Sequence, residues 1–175
     1  MKNIELKIKI DGFKKVASIF KKIGAKFKGK LYQVDIYYNC PKGRLKIREI
    51  NKRNFELIFY QRPDKSASKV SNYQILNIKA AQLENFKSIF NFALGEKTVV
   101  KKERELWLYK NTRVHLDKVS GLGSFLELET VAKKIDTAQA KKECQEVVKL
   151  LNLTKYRKLD KSYSDMLSVR AGGRC

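Results

Sequence analysis

Residues 3–10 read NIELKIKI, in which Ile4, Leu6, Ile8 and Ile10 alternate with Asn3, Glu5, Lys7 and Lys9. A side-chain period of two marks a β-strand with one apolar face, because successive Cβ atoms point to opposite sides of the pleat. The other face mixes one acid with bases. A solvated surface accepts that mixture, and so does the wall of a charged cavity.

The same alternation recurs along the chain. In RLKIR (44–48), Arg44, Lys46 and Arg48 share a face against Leu45 and Ile47. In RVHLD (113–117), Arg113, His115 and Asp117 oppose Val114 and Leu116. In FLELE (125–129), Glu127 and Glu129 share a face with Phe125, while Leu126 and Leu128 take the other. Further strands are read at QVDIYYNC (33–40), NFELIFYQRP (54–63), VSNYQILNIK (70–79) and TVVKKERELWLY (98–109), which makes eight.

Three helical patterns interrupt them. The first spans Phe13 to Ala25, with Phe13, Val16, Ala17, Phe20 and Ile23 on one stripe. The second spans Ala81 to Leu94, with Leu83, Phe86, Ile89 and Phe90 inward and Gly95 as its stop. The third runs from Asp136, where DTAQ has the form of a capping box, to about Leu151. A short amphipathic segment at SYSDML (162–167) follows, and AGGRC reads as part of an unstructured tail or cloning remnant over residues 169–175. No linker or composition break divides the chain, so residues 1–168 are read as one α+β domain.

Lys and Arg number 39 against 18 Asp and Glu, a net charge of +21. That excess implies an anionic partner without choosing among nucleic acid, acidic lipid and polyphosphate. Lys14, Lys15, Lys21, Lys22, Lys26, Lys28 and Lys30 make a basic exterior that admits weak, non-specific contact with nucleic acid. No apolar run approaches the roughly 18 residues of a membrane span, and the charged N-terminus lacks a signal-peptide core, so a cytoplasmic protein is expected. Cys40, Cys144 and Cys175 form no CxxC pair, which argues against a zinc site or a disulfide framework. The single histidine, His115, is read as a structural or cavity-lining residue.

The helices must bury their stripes on the apolar strand faces, so the ionic faces point the other way. In an open sheet they meet water, and in a sheet closed on itself they meet a lumen; alternation alone does not separate the two. The ionic faces carry many bases but few acids, the latter drawn from opposite ends of the chain. Carboxylates gathered in this way suit a hard divalent cation such as Mg²⁺ or Mn²⁺. Guanidinium and ammonium groups suit phosphate oxygens. Together they fit a metal-bound polyphosphate.

IELKI, GRLKIRE, LIFYQRPD, VKKERELWL, RVHLDKVSGLGSFLELE and KSYSDML resemble, in order, the motifs of the CYTH superfamily, the triphosphate tunnel metalloenzymes. The closest likeness is to the class IV adenylyl cyclase-like branch with an N-x-E-x-K start. The resemblance implies an eight-stranded antiparallel closed β-barrel, a triphosphate tunnel, with helices packed outside. It implies Glu5, Glu127 and Glu129 as ligands to Mg²⁺ or Mn²⁺. It implies Lys7, Lys46, Arg48, Arg62, Lys102, Arg104 and Arg113 as triphosphate-binding bases, and Asp117 as a candidate catalytic acid of the lumen. Asn3 stands where the family signature ExExK has its first glutamate, and Gln61 stands where a lumen lysine is usual.

Two functions follow from the resemblance. One is a metal-dependent enzyme, monomeric or homodimeric, that hydrolyses or cyclises a nucleoside triphosphate, thiamine triphosphate or tripolyphosphate. The other is a catalytically reduced module that binds polyphosphate, nucleotide or an RNA 5′-triphosphate without turnover.

Overall fold

A computed structural model describes residues 2–61, 69–132 and 135–172. Its elements are β1 (Lys2–Lys9), α1 (Lys14–Lys22), β2 (Lys26–Tyr38), β3 (Arg44–Ile50), β4 (Asn54–Gln61), β5 (Lys69–Ile78), α2 (Leu83–Leu94), β6 (Glu96–Tyr109), β7 (Thr112–Val119), β8 (Gly123–Val131), α3 (Thr137–Leu150) and α4 (Tyr163–Gly172).

The strands are antiparallel throughout and follow the order β1-β5-β4-β3-β2-β6-β7-β8. Among the described residues, β1 pairs with β8 over seven residues and with β5 over four, from Lys2↔Asn72 to Glu5↔Lys69. The sheet therefore curls into a half-barrel whose strand order returns to its start through one short seam. The expected closed barrel is, among the described residues, an open curled sheet. Beyond the seam the C-terminal segment occupies the edge of β1: the Leu159 N–H donates to the Lys7 carbonyl at 2.8 Å, and Ile8 bridges Lys158.

The apolar face of NIELKIKI lies outside, as the helical stripes require. Ile4, Leu6, Ile8 and Ile10 pack with Val114, Leu116, Leu126 and Leu128 beneath Val16 and Phe20 of α1 and Ala140, Cys144 and Val147 of α3. Phe20 is fully buried, a contribution of about 2–3 kcal/mol in transfer terms. On the far side α2 sets Leu83, with Phe86 and Phe90, over Tyr38, Ile47, Phe55 and Ile78. A third cluster joins residues of the inward face, Tyr37, Ile58, Tyr60 and Phe125, to Tyr163, Met166 and Leu167 of α4. α4 thus plugs one end of the curled sheet.

Element ends follow local chemistry. α1 stops at Lys22, short of the expected Ala25, because Gly24 takes a left-handed φ of 73°. The Ala25 N–H then reaches back to the Phe20 carbonyl at 2.9 Å. α3 opens on the expected capping box, with Asp136 accepting from the Gln139 N–H at 2.7 Å and Gln139 Oε1 accepting from the Asp136 N–H at 3.1 Å. β2 begins at Lys26, ahead of the expected start, because the basic stretch before Gln33 pairs with β6 although its side chains show no apolar period. α4 continues to Gly172, so residues 169–172 are helical and not tail: Val169, Arg170 and Ala171 are all compatible with helix.

Candidate functional site

Inside the curl, the ionic strand faces surround a cavity of about 570 Å³. Its charges are sorted by strand. Glu5 on β1 stands directly opposite Glu129 on β8, and Lys7 stands opposite Glu127. β7 adds Arg113 opposite Glu129 and His115 opposite Glu127. In the strand order, β1 and β8 lie across the ring from β2 and β3. There β3 presents Lys46 and Arg48, and β6, on the other side of β2, presents Lys102 and Arg104. The three glutamates thus lie on β1 and β8, while β3 and β6 present bases alone.

Asp35 on β2 holds the basic wall in place. Its carboxylate accepts from Arg48 Nε at 2.7 Å, from Arg48 Nη2 at 3.0 Å and from Lys46 Nζ at 2.9 Å, with Lys102 Nζ at 3.6 Å. Burial alone would raise the Asp35 carboxyl, but Arg48, Lys46 and Lys102 hold it well below the usual carboxylate range. The lysines shift the opposite way. Burial, and then the charge of Arg48, brings Lys46 down to about 7. Burial and the charge of Arg104 bring Lys102 down to about 8.

Arg104 is fixed from behind. Asp117 receives its Nε and Nη2 at 2.6 Å each, and Nη2 also reaches Glu127 Oε2 at 2.8 Å. The Tyr163 hydroxyl donates to Asp117 at 3.0 Å, and burial followed by the nearby Asp117 raises the phenol well above its ordinary value, so that it keeps this proton. The Tyr163 ring lies under Lys7 Nζ, 3.9 Å from its centroid. Burial opposes ionisation of Glu127, yet Lys7, His115 and Arg104 keep it well below the usual range. His115 is buried between Glu127 and Glu129, and burial with the charge of Arg104 lowers its pKa.

The carboxylates of β1 and β8 suit a hard cation by their donor set. Glu5, Glu127 and Glu129 offer carboxylate oxygens, and Asn3 Oδ1 is a buried oxygen with no hydrogen-bond partner among the described residues. As they stand, no three His, Cys, Asp or Glu side chains among the described residues converge on one point. Each carboxylate is turned to a protein donor instead: Glu5 to the Tyr73 hydroxyl, Glu127 to Arg104, and Glu129 to the Asn3 amide.

Of the residues singled out in the sequence, Asn3, Glu5, Lys7, Lys46, Arg48, Lys102, Arg104, Arg113, Glu127 and Glu129 all line this cavity. Asp117 does not; it lies fully buried behind Arg104. Gln61 is exposed at the end of β4 and does not line the cavity, and Arg62 lies outside the described residues. Asp35 was missed, although Gln33, Asp35 and Tyr37 alternate with Val34 and Ile36 in the manner of the other staves. Tyr163 lay within a quoted motif, but no period assigns its ring to the lumen.

The comparisons with known proteins agree with this geometry. The CYTH domain model matches residues 1–163. A Methanocaldococcus jannaschii protein provisionally named an adenylate cyclase is 33% identical over 177 residues, covering 95% of this chain and 98% of that one. A Pyrococcus horikoshii structure superposes with a TM-score of 0.80 at 24% identity, covering 93% of this chain and 98% of its own. An adenylyl cyclase-like structure from Hippeastrum, described as having a dominant triphosphatase activity, superposes with a TM-score of 0.69 at 11% identity, covering 98% and 95%. With the family model covering nearly the whole chain, this protein belongs to the CYTH domain family.

Proposed function

We propose that the chain is a divalent-cation-dependent enzyme that binds a triphosphate in its cavity and cleaves a phosphoanhydride bond. One observation carries the reading: a single cavity gathers Glu5, Glu127 and Glu129 on β1 and β8 together with Lys7, Lys46, Arg48, Lys102, Arg104 and Arg113. The bases suit phosphate oxygens and the carboxylates suit a hard cation. A cation and a polyphosphate together satisfy both.

Lys46, Arg48, Lys102 and Arg104 hold phosphate oxygens, with Arg104 aimed by Asp117 and the β3 pair aimed by Asp35. Glu5, Glu127 and Glu129 would hold Mg²⁺ or Mn²⁺, which supplies charge neutralisation at the phosphates when bound. In hydrolysis a water oxygen attacks the terminal phosphorus, the bridging P–O bond breaks with its electrons leaving on diphosphate, and a proton passes to solvent. In cyclisation a ribose hydroxyl attacks the α-phosphorus and pyrophosphate leaves. The basic wall spreads the developing negative charge in either case. The Methanocaldococcus jannaschii relative, provisionally named an adenylate cyclase, supports keeping cyclisation beside hydrolysis.

A second reading, binding without turnover, is favoured by Asn3. Its amide occupies Glu129 where the family has a further carboxylate. Purified protein incubated with ATP, thiamine triphosphate and tripolyphosphate, each with Mg²⁺ or Mn²⁺, decides between the readings. Release of phosphate, pyrophosphate or cyclic AMP supports the enzyme. Tight binding with no product supports the binding module.

A further inference from the structure

Resting on the triphosphate reading just given, we propose that Tyr163 is a positioning residue, which sets Lys7, Lys102 and Arg104 in place around the phosphates. It stands on α4, far along the chain from these three bases on β1 and β6. The first turn of α4 is anchored from two sides. Ser162 and Asp165 cap it reciprocally: the Ser162 N–H donates to Asp165 Oδ2 at 3.1 Å, and the Asp165 N–H donates to Ser162 Oγ at 3.2 Å. The same carboxylate accepts from Arg44 Nη2 of β3 at 2.9 Å and lies 3.8 Å from Lys97 Nζ of β6. Tyr163, between the two capping residues, is thereby held in the cavity wall, where it is buried. Phe125 meets its ring edge-on, with centroids 5.0 Å apart and planes at 62°.

The side chain then acts through two separable parts. Its ring has Lys7 Nζ 3.9 Å and Lys102 Nζ 5.4 Å from its centroid. The negative face of the ring attracts both ammonium groups, which repel each other, and neutralises neither. Their N–H donors stay available to phosphate oxygens, whereas a carboxylate in the same place would compete for them. The hydroxyl acts elsewhere. It donates to Asp117 Oδ2 at 3.0 Å, the oxygen that also receives Arg104 Nη2 at 2.6 Å. Asp117 is fully buried, so its own orientation decides where the guanidinium points. One tyrosine thus holds two bases by its ring and the third by its hydroxyl, through Asp117. Donors held in place before the ligand arrives bind it more tightly, because less freedom is lost on binding.

The test is calorimetric titration of tripolyphosphate, in Mn²⁺, into the unmodified protein, Tyr163→Phe, Tyr163→Leu, Asp117→Asn and the double variant Tyr163→Phe with Asp117→Asn. Phenylalanine keeps the ring and loses the hydroxyl; leucine loses both. Tyr163→Phe is expected to weaken binding about fivefold, and to weaken it no further once Asp117→Asn is present. Tyr163→Leu is expected to weaken binding about tenfold beyond Tyr163→Phe. A role confined to packing α4 would lower Tm in these variants and leave the affinity of the folded protein unchanged. The proposal is overturned if Tyr163→Phe binds as tightly as the unmodified protein, or if its loss persists undiminished beside Asp117→Asn. Should Tyr163→Leu fail to fold, the cycle with Tyr163→Phe decides alone. Absence of binding to the unmodified protein overturns the triphosphate reading itself, so the two failures are distinct.

Discussion

Arg48 meets Asp35 through two hydrogen bonds, Nε at 2.7 Å and Nη2 at 3.0 Å, and through that one carboxylate the strand partner β2 also holds Lys46 and faces Lys102. Asp35 thus stands among three basic side chains. The cluster is under-neutralised as it stands, and a bound polyanion completes it.

Asp35→Asn removes the anion that Arg48 and Lys46 contact directly. The loss of a buried ion-pair partner costs about 3–5 kcal/mol. Thermal unfolding should show a large drop in Tm for the free variant. Saturating tripolyphosphate should restore more of the Tm than it adds to the unmodified protein, since the ligand replaces the missing charge. Equal ligand-induced shifts in the two proteins would contradict the role given to Asp35.

The lowered lysines set a pH dependence. Lys46 titrates at about 7 and Lys102 at about 8, against about 10.4 in the unfolded chain. Phosphate favours their charged forms, so binding above pH 7 takes up protons, and affinity should fall as pH rises from about 7 to 9. Calorimetry in buffers of different ionisation enthalpy should detect that uptake near pH 8. The contribution of these lysines to the stability of the free protein runs the other way. Between about 7 and 10.4 the unfolded state binds more protons, so this contribution rises with pH. Affinity that climbs with pH over the same range would refute the assignment.

Asp117 is given a positioning role, acting through Arg104. Asp117→Asn should weaken tripolyphosphate binding about tenfold, roughly the value of one charge-assisted hydrogen bond. Arg104→Gln should weaken it further, and the double variant should match Arg104→Gln alone. Additive losses in this cycle would mean that Asp117 acts on the ligand independently.

Asn3→Asp puts a carboxylate beside Glu129 in place of a hydrogen-bond donor. The free protein should lose about 1–2 kcal/mol, because a favourable hydrogen bond becomes a like-charge contact. Mn²⁺ should then raise its Tm more than it raises that of the unmodified protein. Identical Mn²⁺ shifts would place the cation away from Asn3 and Glu129.

Much of this was legible in the alternation of single strands. NIELKIKI, RLKIR, RVHLD and FLELE each declared an apolar and an ionic face, and the register keeps those faces together. Gln61 was placed by a motif position, but Glu56, Ile58 and Tyr60 line the cavity, so the same alternation sets Gln61 on the outward face of β4. Asp117 has the right parity but stands one layer behind Arg104, and depth within a wall leaves no trace in a period of two. Asp35 and Gln33 showed the same alternation as the other strands. They lay in a run of apolar and aromatic residues, and only the pairing of β2 with both β3 and β6 reveals that this strand organises the basic wall. Lys158 and Leu159 meet the β1 edge at Lys7 and Ile8, a contact between distant parts of the chain that no local period records.

The most direct measurement is a calorimetric titration of tripolyphosphate into the purified protein, with and without Mn²⁺, repeated on Glu127→Gln. The expected result is one-to-one binding that Mn²⁺ tightens in the unmodified protein and fails to tighten in the variant. Absence of binding under both conditions, or a Mn²⁺ effect that survives in Glu127→Gln undiminished, would contradict a cavity built for a cation and a polyphosphate together.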